Sequence, residues 1–177
     1  METNPLPRRS SLRSAMTWIL LLLAAGLAGC DHATKYVAQQ ELSASSKTIV
    51  PGVVELVYSE NRDTAFSLFR SLGGHAPKAL LVILPLVALV AVAVFAWKRR
   101  RAASKLELTG YAVIFGGALG NVIDRVFRGY VIDFIHVRHW PVFNVADIAV
   151  GVGVGLLVLS GLLRPKTPAA PDVPAPS

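Results

Sequence analysis

Cysteine is almost absent from this chain, and charge is scarce. Cys30 stands alone among 177 residues, which excludes an internal disulfide framework and any multi-cysteine metal site. Only 16% of the residues are charged, 53% are hydrophobic, and the mean hydropathy is +0.52. Soluble globular domains seldom combine these values, so composition points to a membrane protein. Nucleic-acid-binding motifs are missing too. The formal charge of +7 would suit a polyanion, yet the basic residues lie beside apolar runs, where Lys and Arg set membrane topology. No nucleic-acid partner is expected. There is no H-E-x-x-H motif either. His136 and His139 form only an H-x-x-H pair and read as interfacial histidines near Trp140, so no metal is expected.

What the chain does have is four apolar segments, at about 15–30, 79–97, 108–123 and 142–163. A helical span needs roughly 20 apolar residues, which the second and fourth supply, while the first and third must borrow polar residues at their ends. Pro85 is tolerable inside a membrane helix. The stretch "KRRRAASK" packs five Lys/Arg into eight residues between the second and third spans. Arg8, Arg9 and Arg13 precede the first span, and Arg164 and Lys166 follow the fourth. The positive-inside rule then puts residues 1–14, the proline-rich tail 164–177 and both termini in the cytoplasm. Residues 31–78 and 124–141 face outward. The first of these loops, with "KTIVPGVVELVYSENRDTAFSLF", reads as two or three short strands broken at Pro51-Gly52. The expected fold is therefore a mainly α membrane protein, a four-transmembrane-helix bundle with a small extracytoplasmic β element.

The first span raises a competing reading. Basic residues, an apolar run and Leu27-Ala28-Gly29-Cys30 together look like the signal peptide of a lipoprotein that would be anchored at Cys30. An uncleaved first span needs the same pattern, and on that reading Cys30 is a small buried residue.

Ionisable residues in or beside a span are functional candidates by default. Asp31 has Lys35 four residues on, a helical ion-pair spacing, and Asp124 is followed by Arg125 and Arg128. Asp133 in "YVIDFI" and Asp147 in "FNVADIAV" lack a nearby cation, so they are the carboxylates expected to have perturbed pKa values. Asp147, Gly151 and Gly155 recur every four residues, which suggests a face pointing into the bundle. Gly116, Gly120 and Asp124, with Gly117 and Asn121 beside them, suggest the same for the third span. Two close carboxylates in a low-dielectric site tend to share one proton. One can then activate water while the other polarises a carbonyl, which is peptide hydrolysis without a nucleophilic side chain, metal or cofactor. A small transporter using the aspartates as a proton relay is the alternative.

The motifs "DHATK", "ENRDTAFSLF", "GGALGNVIDR", "GYVIDF" and "FNVAD" occur in this order over residues 15–163. In this the chain resembles lipoprotein signal peptidase, or signal peptidase II. The resemblance implies an aspartic peptidase of the bacterial inner membrane, with its active site toward the periplasm. Its partners would be diacylglyceryl-modified prolipoproteins and membrane lipids, and globomycin would inhibit it. By motif position Asp133 and Asp147 would be the catalytic pair. Asp31, Lys35, Asn61, Asn121, Asp124, Arg125 and Asn144 would support or line the site. One departure stands out: Asp63 occupies the place of a family glycine, where positive φ would be less costly.

Overall fold

A computed structural model describes residues 9–62 and 78–164, with side chains from Ser14 onward except that of Lys78. Asp63 and most of both tails lie outside these residues. The elements are α1 (Arg9–Leu42), β1 (Lys47–Val50), β2 (Val54–Asn61), α2 (Lys78–Arg99), α3 (Lys105–Phe127), β3 (Val131–Val137) and α4 (Val145–Leu162). Among the described residues, four helices are long and apolar enough to cross a membrane, over Ser14–Leu42, Ala79–Arg99, Lys105–Phe127 and Val145–Leu162. The protein is a mainly α, multi-pass membrane protein with one small antiparallel sheet.

The first helix departs from the hydropathy reading. It does not end at Cys30 but continues to Leu42, a total of 34 residues or roughly 50 Å of rise. A hydrocarbon core is about 30 Å thick, so the helix extends well beyond it. Packing sustains the extra turns. Ala24, Ala28, Asp31, Lys35, Ala38 and Leu42 are all buried, spaced three and four apart on one face. At its far end, Ala38 and Leu42 pack with Phe134 of β3, joined by Leu56, Tyr58, Ile135 and Val145. Cys30 lies off this stripe and is exposed, so the expectation of a buried cysteine is corrected.

The sheet has the order β1-β2-β3. Gly52 makes the β1–β2 turn at φ 71, a conformation glycine adopts without steric cost. Sequence alone leaves 124–141 as a loop, yet β3 pairs along β2, with Asp133 opposite Ser59 and Val131 opposite Asn61. Val131, Ile132, Asp133 and Phe134 are all buried. A strand covered on both faces shows no alternation to read.

Helix α3 is the hub and packs against α1, α2 and α4. Small residues bring the backbones together. A Cβ on Gly117 would meet the Ala146 carbonyl oxygen at 2.5 Å and the Ala149 Cβ at 3.0 Å, and one on Gly116 would meet the Ala24 carbonyl oxygen at 2.7 Å. Gly110 and Gly153 oppose each other in the same way. The expected inward face of α4 is thus corrected by about half a turn. Ala146, Ala149 and Gly153 are buried, whereas Gly151 and Gly155 are exposed with nothing within 4 Å among the described residues. Gly117→Ala is expected to cost about 1–3 kcal/mol by forcing α3 and α4 apart. Gly151→Ala should be neutral or stabilising by up to about 1 kcal/mol. Melting temperatures in detergent check both, and equal losses would contradict this packing.

At the end of the bundle away from the sheet, buried Glu107 ties three helices together. Arg99 Nε donates to its Oε1 at 3.1 Å and Arg164 donates to its Oε2. Ser104 caps α3 by accepting from Glu107 N, and its hydroxyl also meets that of Ser160 at 2.9 Å.

Candidate active site

The other end of the bundle gathers the carboxylates. Asp133 comes from β3. Asp147 comes from the first turn of α4, where Asn144 is the N-cap. The Asn144 side-chain oxygen accepts from Asp147 N at 3.1 Å, and Asn144 N donates to Asp147 Oδ2 at 3.2 Å. This reciprocal capping box satisfies two otherwise unpaired N–H groups and fixes the Asp147 side chain. Asn144 Nδ2 donates to Asp133 Oδ1 at 2.6 Å. One fully buried asparagine therefore holds both aspartates.

Two further asparagines complete the frame. Asn61, at the end of β2, donates to Asp133 Oδ2 at 2.9 Å. Asn121, from α3, donates to Asp147 Oδ1 at 2.9 Å. Asp133 is 3% exposed, while Asp147 opens to the outside. Burial pushes the Asp133 carboxyl up to about 6 from its usual 3.8. The bonds from Asn61 and Asn144 and the charge of Lys35 act against the shift, and the neighbouring charge of Asp147 adds to it.

Beneath the aspartates lies a buried ion cluster. Lys35 Nζ, with 0% exposure, reaches Asp31 Oδ2 at 2.6 Å, Asp124 Oδ2 at 2.8 Å and Asn121 Oδ1 at 2.8 Å. The contact to Asp31 is a fully buried ion pair. Asp31 Oδ1 accepts from Ala146 N at 2.9 Å, which fastens α1 to the start of α4. Arg128 pairs with Asp124 Oδ1. Two carboxylates and two cations sum to zero, which is what lets charges persist in such a site. A Cβ on Gly120 would collide with Asp31 Oδ2, so only glycine leaves room for the cluster. Arg125 contacts the Asn121 carbonyl oxygen at 3.5 Å and feels the charges of Asp133, Asp147 and Asp124.

The nine residues assigned to the site from the sequence thus meet here: Asp147 at the opening with Asp133 buried, Asn61, Asn121 and Asn144 around them, Arg125 alongside, and Asp31, Lys35 and Asp124 below. Sequence reasoning left Arg128 out of the site, although its spacing from Asp124 was an available signal. It also missed the rim beside Asn61. There Arg62 pairs with Glu60 at 2.6 Å and lies 5.1 Å from the Tyr130 ring centre.

Residues 23–163 match the family model for signal peptidase (SPase) II. The chain belongs to the signal peptidase II family. It is 33% identical to a lipoprotein signal peptidase of Haemophilus ducreyi, over 87% of this chain and 96% of that one. Identity is 41% to the lipoprotein signal peptidase of Actinobacillus succinogenes, over 73% and 80% of the two chains. It is 37% to that of Serratia marcescens, over 88% and 92%. A solved structure described as a bacterial membrane enzyme has the same fold, with a TM-score of 0.69, 24% identity, and 86% of this chain and 94% of the other covered. A second such structure gives 0.68 at 26% identity, over 82% and 93%. As a signal peptidase II family member the chain is a protease, a hydrolase of lipoprotein processing.

Proposed function

We propose that this protein removes signal peptides from diacylglyceryl-modified prolipoproteins, cutting before the lipidated cysteine, with Asp133 and Asp147 as the catalytic pair. The observation that carries the pair is Asn144, which hydrogen-bonds both carboxylates at once. Asp147 is open to the outside and takes the base role. It accepts a proton from a water that attacks the scissile carbonyl carbon. Asp133, whose buried carboxyl keeps its proton up to about pH 6, donates that proton to the carbonyl oxygen. When the tetrahedral intermediate collapses, Asp147 passes its proton to the leaving amide nitrogen and the hydroxyl proton returns to Asp133. Both groups end as they began.

The chain would sit in the bacterial inner membrane. Lys98, Arg99, Arg100, Arg101, Lys105 and Arg164 gather at the end of the bundle opposite the carboxylates, which favours cytoplasmic termini and a periplasmic site. Globomycin sensitivity follows from the family reading. Cys30 remains uncleaved on this view, since Ala24 and Ala28, which precede it, belong to the packed face of α1.

Purified protein incubated with a diacylglyceryl-modified precursor should release a signal peptide and a product beginning at the modified cysteine. Mass spectrometry identifies both, and the same spectra should show the enzyme itself uncut at Cys30. Absence of cleavage, with substrate-coupled proton flux in reconstituted vesicles, would favour a transporter instead.

The pH dependence has a definite sign. Folded Asp133 holds its proton to about 6, whereas the unfolded chain releases it near 3.8. The folded state therefore binds more protons between these values, so this group's stabilising contribution is full below about 3.8 and is lost as pH rises through 6. In kcat/KM, loss of the acid should give a falling limb near pH 6. The limb for kcat should lie higher, because a bound peptide excludes water from Asp133. A flat profile from roughly pH 5 to pH 8 would contradict the assigned acid.

A further inference from the structure

Helices α1 and α2 each pack on α3 and leave a cleft between themselves. Its volume is about 800 Å³, within the roughly 300–1,000 Å³ of ligand sites. Leu20 and Ala24 of α1, Ala93 and Ala96 of α2, and Ala112 and Phe115 of α3 form the apolar interior. The rim at the end remote from the aspartates is different in kind. Ser14, Trp97, Arg100 and Arg101 stand there. Arg100 lies 3.6 Å from the Trp97 ring centre and donates to the Trp97 carbonyl oxygen at 2.6 Å. Arg101 has no acidic partner among the described residues. The nearby carboxylate of Glu107 is already engaged by Arg99 and Arg164, so the rim keeps its positive charge.

Length identifies the class of occupant. From Ser14 to Ala24 the cleft follows ten residues of α1, roughly 15 Å of rise, which is half of a ~30 Å hydrocarbon core. A cleft one leaflet deep, apolar within and doubly cationic at the headgroup level, matches a single phospholipid rather than a spanning peptide. A signal peptide would also bring its own basic residues to the arginines, and like charges repel. The chain's own N-terminal residues, with Arg8 and Arg9, face the same repulsion. We infer that the α1–α2 cleft binds an anionic glycerophospholipid, with an acyl chain along Ala96 and Ala112 and the phosphate on Arg100 and Arg101. Basic pockets between spans on this side are a recognised setting for such headgroups. The inference stands whichever reaction occurs at the opposite end.

Native mass spectrometry of the full chain in detergent micelles, titrated with phosphatidylglycerol or phosphatidylethanolamine of matched chains, tests this. Phosphatidylglycerol should bind roughly tenfold or more tightly than phosphatidylethanolamine, as two juxtamembrane arginines provide. Arg100→Gln with Arg101→Gln should remove the preference, and Ala96→Trp, which fills the cleft, should lower occupancy by both lipids. Arg101→Gln alone, which breaks no ion pair among the described residues, should reduce the preference without disturbing the fold. Precursor cleavage in detergent, unchanged in that variant, reports the fold. A preference that survives loss of both arginines overturns the proposal. So does equal binding of free glycerol phosphate, which would mark a simple anion site. A tenfold gain on deleting residues 1–8 would instead make the chain's own N-terminus the occupant.

Discussion

Replacing Asp147 with asparagine is expected to lower kcat on a diacylated precursor by roughly 10³-fold, within the 10²–10⁴ range of positioned acid–base groups. Asparagine has nearly the same shape and keeps one oxygen. That oxygen can still accept from Asn144 N, as Asp147 Oδ2 does at 3.2 Å. The cap of α4 should therefore survive and the melting temperature hold, so the loss is chemical rather than structural. Asp133→Asn should fall by a similar factor, because an amide cannot hand a proton to the carbonyl oxygen. In the proposed mechanism the pair acts as one unit, so the double variant should be hardly worse than either single one. Either single variant turning over within about twofold of the parent would remove that aspartate from the mechanism.

The second large effect belongs to Lys35. Lys35→Met is expected to destabilise the fold by about 3–5 kcal/mol, the range for breaking a buried pair from one side. The side chain is fully buried and its ammonium meets Asp31, Asp124 and Asn121. Without it, two buried carboxylates face each other with only Arg128 in compensation. Activity should fall as well, because Asn121 Oδ1 would lose one of its two donors, Lys35 and Asn144, which together orient its amide toward Asp147. Thermal unfolding in detergent reads the first effect. Adding Asp31→Asn to Lys35→Met should restore part of the stability, since Asp124 then keeps Arg128 and neither buried carboxylate is left without a cation. A single variant that melts with the parent would mean that water, not lysine, neutralises the cluster.

How much of this is legible in the sequence depends on what each residue advertises. The spans are legible because lipid-facing surfaces such as Leu22, Val87 and Leu162 stay apolar where a soluble protein would be polar. Asp133 and Asp147 are legible because a carboxylate in an apolar run calls for a reason. The end of α1 is not. Its polar residues Asp31 and Lys35 mark the edge of the hydropathy window, yet both are buried partners of α3 and α4. Strand β3 hides because it is covered on both faces. The inward face of α4 was read half a turn off, since glycines at 151, 153 and 155 allow two phases and only contact with Ile114 and Gly110 selects Gly153. Asn144 was legible as a motif member, but its grip on both aspartates depends on β3 lying beside the start of α4.

The arrangement of the buried charges also bears on how the chain is made. Asp31 and Lys35 sit four residues apart on α1, and Asp124 of α3 sits four before Arg128, the C-cap of that helix. Each buried carboxylate therefore has a cation four residues on in its own segment, so that neither has to enter lipid unpaired before another helix is there to receive it. The bond from Lys35 across to Asp124 forms only in the later stage, when inserted helices associate. Insertion and assembly thus draw on the same four side chains at different times: first to admit two helices singly into lipid, then to lock them together beneath the aspartates.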